Sequence, residues 1–283
     1  MAITNSAVSA SRTLVLLAPS SSAVPDSFYQ VRVDLFQYRT LMAQMQRLRG
    51  ALYLEDGALE QYQLCPDGRH RLEIDEKSWH LLTLNQDGQV SGCARYLQHP
   101  NTVSFGQLSL WTSAMEQCDR WGKKLGKAVL SELARAQRED LAYVEVGGWA
   151  IARELRCTIQ ALRLALGTYS LGQLLGGCLG IATATVRNNS SSMLRRIGGR
   201  SLEADGVELP SYYDPQYRCE MEILRFRSDS FNPRYRTLLM EVRADLLNVA
   251  VICGRQHAVD WQTMPTPVES SRRIPATARW TRA

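Results

Sequence analysis

The chain has 283 residues, a formal net charge of +5 and 45% apolar residues, the proportions of a globular protein with one large or two small domains. No apolar run is long enough to cross a bilayer as a helix, and the seven cysteines and four histidines are scattered without a CxxC pair or zinc-like spacing, so reduced thiols and no metal site are expected. The basic balance favours an acidic partner in general, whether nucleic acid, anionic membrane or acidic carrier protein. Nucleic-acid-binding motifs are absent, so no nucleic-acid partner is expected.

Residues 1–27 read as a disordered leader. Within it TLVLLA at 13–18 follows Arg12 but is too short for a signal-peptide core and lacks a cleavage pattern, so a cytoplasmic protein is expected. From Asp34 to Leu52 apolar residues recur at helical spacing. After a turn-rich stretch, WHLLTL (79–84) and VSGCARYL (90–97) flank Asp87-Gly88 as a β-hairpin. Residues 115–138 read as an amphipathic helix with Trp121, Leu125, Val129 and Leu133 on one face. A strand follows over about 142–152, then a helix from about Arg153 to Leu175, a strand at 177–186, and a helix in NNSSSMLRRIGG that ends at Gly198-Gly199. RCEMEILRF (218–226) is a strand, and 234–250 a last helix. The order predicts a mixed α/β (α+β) domain over 28–254 built around one sheet. Residues 255–283 carry Arg272, Arg273, Arg279 and Arg282 among three prolines and read as a disordered basic tail.

One stretch carries most of the chemical signal: VEVGGWAIARELRCT, residues 144–158. A strand that runs into a helix leaves backbone N–H groups unpaired at the helix start, an anion site. Arg153, Arg156 and Arg163 add charge there, although solvation or pairing with Glu154 explains the arginines by themselves. Glu145 lies in an apolar run, and strand alternation sets it on one face with Gly147 and Trp149. A carboxylate in such a cleft suits proton transfer; a structural ion pair, for example with Arg95, explains it equally well. Gly147 and Gly148 mark either a bulge that frees N–H groups for an oxyanion or a close packing contact. No Ser/His/Asp or Cys/His nucleophile pattern and no phosphate-binding GxxxxGK[ST] loop is present.

The order of elements, with ARELR at a strand–helix junction and SSSMLRRIGG in the next helix, resembles the GNAT acyltransferase fold, a mixed, mostly antiparallel sheet flanked by helices. Three stretches are similar, within that fold, to the N-acyl amino acid synthases and the related acyl-homoserine-lactone synthases. They are EVGGWAI, SGCARYL with Arg95, and LEIDEKSWHLL with Asp75. The resemblance spans about residues 35–227. The chain departs from ordinary acetyltransferases in having Arg156 and Thr158 where small residues approach a pyrophosphate, and Leu194 where many carry a tyrosine. It departs from the lactone synthases in having Gly147-Gly148 where they carry a Ser-Arg pair.

What the resemblance implies is an N-acyltransferase that moves a long-chain fatty acyl group from an acyl carrier protein thioester to the amine of an amino acid. The donor is acyl-phosphopantetheine, with acyl-CoA as the alternative, and no cofactor is bound permanently. Glu145 takes a proton from the ammonium, and N–H groups at Ala150, Ile151 and Ala152 hold the oxyanion. Asp75, Arg95, Gly147 and Trp149 contact the substrates, Arg153, Arg156 and Thr158 hold the phosphopantetheine, and Lys123, Lys124, Arg195 and Arg196 meet the acidic carrier protein. A lipid product makes a peripheral membrane contact of the tail an expectation too. Two other readings fit the same residues: a catalytically silent GNAT-like module that binds an acyl chain or carrier protein, and an acetyl-CoA-dependent N-acetyltransferase.

Overall fold

The computed structural model describes residues 13–20 and 22–255. In chain order the elements are β1 (Thr13–Leu17), β2 (Gln30–Val33), α1 (Leu35–Glu55), β3 (Trp79–Leu84), β4 (Val90–His99), α2 (Gly122–Arg138) and β5 (Ala142–Ile151). Then come α3 (Ile159–Leu174), β6 (Cys178–Thr185), α4 (Ser190–Ile197), β7 (Arg200–Ser201), β8 (Glu203–Ala204), β9 (Val207–Glu208), β10 (Tyr212–Asp214), β11 (Cys219–Arg227), α5 (Arg236–Asn248) and β12 (Ala250–Cys253). A ten-stranded sheet runs β10-β11-β6-β5-β4-β3-β1-β12-β2, with β7 attached to β11. The β5–β6, β1–β12 and β12–β2 pairs are parallel and the others antiparallel, the mixed, mostly antiparallel sheet that was expected.

Helices cover both faces. α3 and α5 pack on one, where Leu16, Leu81, Tyr96, Val144 and Val146 meet Leu164, Leu166 and Val242. α3 approaches the sheet so closely that a Cβ at Gly167 would lie 2.6 Å from Leu81, which explains a glycine inside an otherwise apolar helix. The other face is divided. α1 covers it at one end, with Leu41 and Met45 on Val15, Leu82 and Cys93. α2 covers it at the other, with Leu125 and Val129 on Tyr143, Leu179 and Ile181. The site lies between α1 and α2.

Several boundaries differ from the sequence reading. Residues 13–17 of the expected leader form β1, with Leu16 and Leu17 fully buried between β12 and β3. TLVLL is short because it is a central strand, buried on both faces. Residues 1–12 and the tail from 256 lie outside the described residues. α2 starts at Gly122 rather than 115, where a Cβ would overlap the carbonyl oxygen of Glu116. The helix expected from Arg153 is a single 3-10 turn at Arg153–Leu155; α3 itself starts at Ile159, capped by Thr158, whose hydroxyl accepts from the Gln160 N–H at 3.2 Å.

Candidate active site

β5 follows β4 over nearly its whole length but stays with β6 only as far as the Val146–Ala182 pair. β6 continues to Thr185 on β11. From Gly147 onward the two parallel strands therefore separate and open a cleft in the sheet. A bulge adds a second distortion: between the Cys93–Ala150 and Arg95–Gly147 pairs β5 advances one residue more than β4. Gly148 carries the extra step at φ +62, and a Cβ there would press on the Arg95 Cβ at 3.1 Å. The bulge exchanges the faces. Trp149 packs with the core of Val144 and Val146, so it does not share a face with Glu145 as simple alternation predicts.

Glu145 is buried, and both carboxylate oxygens are anchored: Oε1 lies 2.9 Å from His99 Nε2, and Oε2 accepts the Ser109 N–H at 2.9 Å. Two of a carboxylate's roughly four lone-pair directions are thereby used, and the rest face a cavity of about 460 Å³. Arg95 lies across the strand opposite Gly147, whose missing side chain leaves room for the guanidinium (a Cβ would stand 3.4 Å from Nη2). Among the described residues no carboxylate forms a salt bridge with Arg95, and its buried Nε has no partner. Burial and the neighbouring charge of Arg49 both push its pKa down. An unpaired, desolvated guanidinium facing a cavity calls for an anion.

Asp75 has another role than the substrate contact expected of it. It is fully buried and takes Arg49 in a two-pronged pair at 2.9 and 2.8 Å, while also accepting from Gln46 Nε2 at 3.0 Å and the Leu72 N–H at 3.1 Å. Burial alone raises its pKa; the hydrogen bonds and charge of Arg49 outweigh that and hold it below the usual carboxylate value. Asp75 therefore positions Arg49 in the wall of the cavity. Beside it, burial and the Arg49 charge push His70 down to about 4, so this wall residue is neutral at pH 7.

A second cavity, of about 730 Å³, lies beyond Trp149 and is lined by Leu52, Ile151, Arg156, Thr158, Met193 and Arg196 among others. The two cavities share Tyr53, Asp56, Trp149, Arg187, Asn188 and Ser190 and so meet at the separation of β5 from β6. Of the three expected oxyanion donors, Ala152 is unavailable, because its N–H donates to the Ser91 carbonyl at 2.8 Å. Ile151, one place along and opposite Gly92, turns its N–H away from β4 toward the cleft. Ala150 faces Cys93 within the ladder. Arg153 is exposed and paired with Glu55, outside both cavities, whereas Arg156 and Thr158 line the second. The four expected docking cations are dispersed: Arg196 is at the second cavity, Arg195 is held by Glu222 and Ser201, and Lys123 and Lys124 are on α2, the latter stacked on Trp121.

Sequence reasoning missed His99, Arg49 and Tyr53. Arg49 carried a signal, a cation inside the Met45–Leu52 apolar stripe of α1. His99 carried one too, two residues past Leu97 and four past Arg95 on the same face of β4.

A parallel strand pair that separates beside a bulge, within a mostly antiparallel sheet flanked by helices, makes this a GNAT-like fold. The chain shares its fold with the CoA-dependent acyl-homoserine lactone synthase BjaI, solved with SAM and isopentyl-CoA. The TM-score is 0.51 at 15% identity over 86% of this chain and 92% of that one. MesI, another CoA-dependent synthase of that class, aligns at a TM-score of 0.47 and 13% identity over 84% and 98% of the two chains. FeeM, an N-acyl amino acid synthase from uncultured soil microbes, aligns at 0.43 and 10% over 75% and 94%. No protein-family model matches the sequence, and no curated protein matches it.

Proposed function

We propose that this chain is an N-acyltransferase that moves an acyl group from a phosphopantetheine thioester to the amine of an amino acid. One observation carries the reading: anchored Glu145 and unpaired Arg95 face the same cavity, a carboxylate and a guanidinium set to receive a zwitterion. Arg95 takes the acceptor's carboxylate. Glu145 accepts a proton from its ammonium, directly or through a water, and the freed amine attacks the thioester carbonyl carbon at the junction of the cavities. The oxyanion meets the Ile151 N–H; as the C–S bond breaks, the nitrogen gives up its second proton, which passes through water to the departing thiolate. Leu194, buried in the core, supplies none.

The second cavity takes the donor. Its apolar part, with Leu52, Leu162 and Met193, suits a long acyl chain, and Arg156, Arg187 and Arg196 suit phosphate. Arg156 and Thr158 stand where the resemblance to acetyltransferases places small residues beside a pyrophosphate, which favours a carrier-protein donor over CoA; BjaI, which shares the fold, is CoA-dependent. The test is expression in a bacterium and mass spectrometry of the lipid extract, beside Glu145→Gln. New N-acyl amino acids should appear and fall by roughly 10²–10⁴-fold in the variant, the range of a lost general base. Unchanged product in the variant removes Glu145 from the mechanism. With purified protein, turnover of acyl-CoA equal to that of the acyl carrier protein thioester overturns the donor assignment.

A further inference from the structure

β2 is the outermost strand of the sheet, paired with β12 on its inner side and with no strand on its outer side among the described residues. All its residues are exposed. Val31 and Val33 are 43% and 57% exposed, preceded by Tyr29 at 70% and followed by Leu35 at 45% and Phe36 at 83%. Five of the thirteen large apolar side chains exposed among the described residues thus fall within eight consecutive positions. Edge strands are ordinarily guarded by lysine, proline or a bulge. β2 has none of these, and Arg32 is its sole charge.

The open backbone edge decides what covers this surface. Unpaired strand N–H and C=O groups do not enter hydrocarbon, so a lipid surface leaves them unsatisfied; another strand satisfies them. We propose that β2 is a homodimer interface, joined antiparallel to β2 of a second copy across a two-fold axis at Val31. In that register Val31 meets the partner's Val31, Tyr29 meets the partner's Val33, and Gln30 meets the partner's Arg32. Apolar side chains gather on one face and polar ones on the other, so the strand is complementary to itself. An axis at Arg32 instead opposes two like charges. Leu35 and Phe36, in the first turn of α1, extend the apolar surface past the strand end. The two sheets become one.

Light scattering of the full chain over a concentration series tests this. The expected mass is twice the 31.8 kDa of the chain. Val31→Lys and Val33→Lys each return it to the monomer with an unchanged circular-dichroism spectrum, whereas Val207→Lys, at an exposed valine elsewhere, leaves the dimer intact. Val31→Cys forms a disulfide-linked dimer on mild oxidation. A wild-type monomer at every concentration overturns the proposal, as does a dimer that survives both lysine variants. So does a monomer that sediments with anionic phospholipid vesicles, which assigns the patch to a membrane surface.

Discussion

Asp75→Asn isolates the ion pair beside the cavity that Glu145 and Arg95 face. Arg49 and Asp75 have side-chain exposures of 0% and 1%, and removing the carboxylate charge leaves a buried guanidinium uncompensated. Breaking a buried pair in this way costs about 3–5 kcal/mol. At roughly 2–3 °C per kcal/mol for a chain of this size, the midpoint of thermal unfolding at pH 7 should fall by roughly 6–15 °C. Differential scanning calorimetry measures it. The double replacement Arg49→Met with Asp75→Leu removes both charges and should recover most of the loss, since apolar residues of similar volume often match such a pair. The pH dependence has a definite sign. The folded-state pKa of Asp75 is depressed, so its contribution is present above the ordinary value of 3.8 and is lost as pH falls through the lower folded value. The difference between wild type and Asp75→Asn should shrink in that range. A single variant within about 2 °C of wild type at pH 7 refutes the assignment of a stabilising pair.

Gly148→Ala puts a Cβ on a residue at φ +62 and against Arg95. It should cost roughly 1–2 kcal/mol by chemical denaturation and, under the proposed mechanism, raise the KM for the acceptor through the displaced Arg95. His80 is fully buried, donates Nε2–H to the Asp75 carbonyl at 2.8 Å, and has its pKa lowered to about 4, chiefly by burial. The unfolded chain takes up that proton first, so stability should be full above pH 6.5 and decline by roughly 3 kcal/mol as pH falls toward 4, a slope that His80→Gln reduces in equilibrium unfolding. Burial pushes the Cys93 thiol up to about 11, while Cys157 is exposed. Iodoacetamide at pH 8 followed by peptide mass spectrometry should label Cys157 in the folded protein and Cys93 only after denaturation.

The five neighbouring strands β11, β6, β5, β4 and β3 were legible because their patterns are either alternating or continuously apolar between strong turn residues. The Asp87-Gly88 hairpin and the strand with Glu145 both lie where their patterns put them. β1 and β12 were not legible, since four or five apolar residues beside a Ser/Ala-rich stretch or after a helix look the same whether they enter a sheet or not; their pairing is with strands far away in sequence. At the site, Glu145, Arg95 and Gly147 gather at one cavity as read, because local alternation relates the first and last of them and the β4–β5 hydrogen bonds bring in the second. Asp75 misled for the opposite reason. A carboxylate in sequence shows its type but not its neighbours, and Arg49, 26 residues earlier, saturates it.

The extra residue at Gly148 has a consequence for the way such a strand tolerates change in length. Val144 and Val146 point to the face covered by α3 and α5 before it, and Trp149 packs with them after it, while Glu145 and Gly147 keep to the other. Substitutions at Glu145 or Gly147 alter the wall of the first cavity, those at Ala150 or Ile151 the second, and Trp149 borders both. Deletion of Gly148 removes the one extra residue, restores plain alternation and leaves every later side chain on its present face. Trp149 then follows Gly147 directly and stays with Val144 and Val146, and what is lost is the local bend of the strand. The bulge is thus the one place where β5 can lose a residue without exchanging what its second half presents, whereas a one-residue change of length elsewhere in the strand turns the side chains beyond it over.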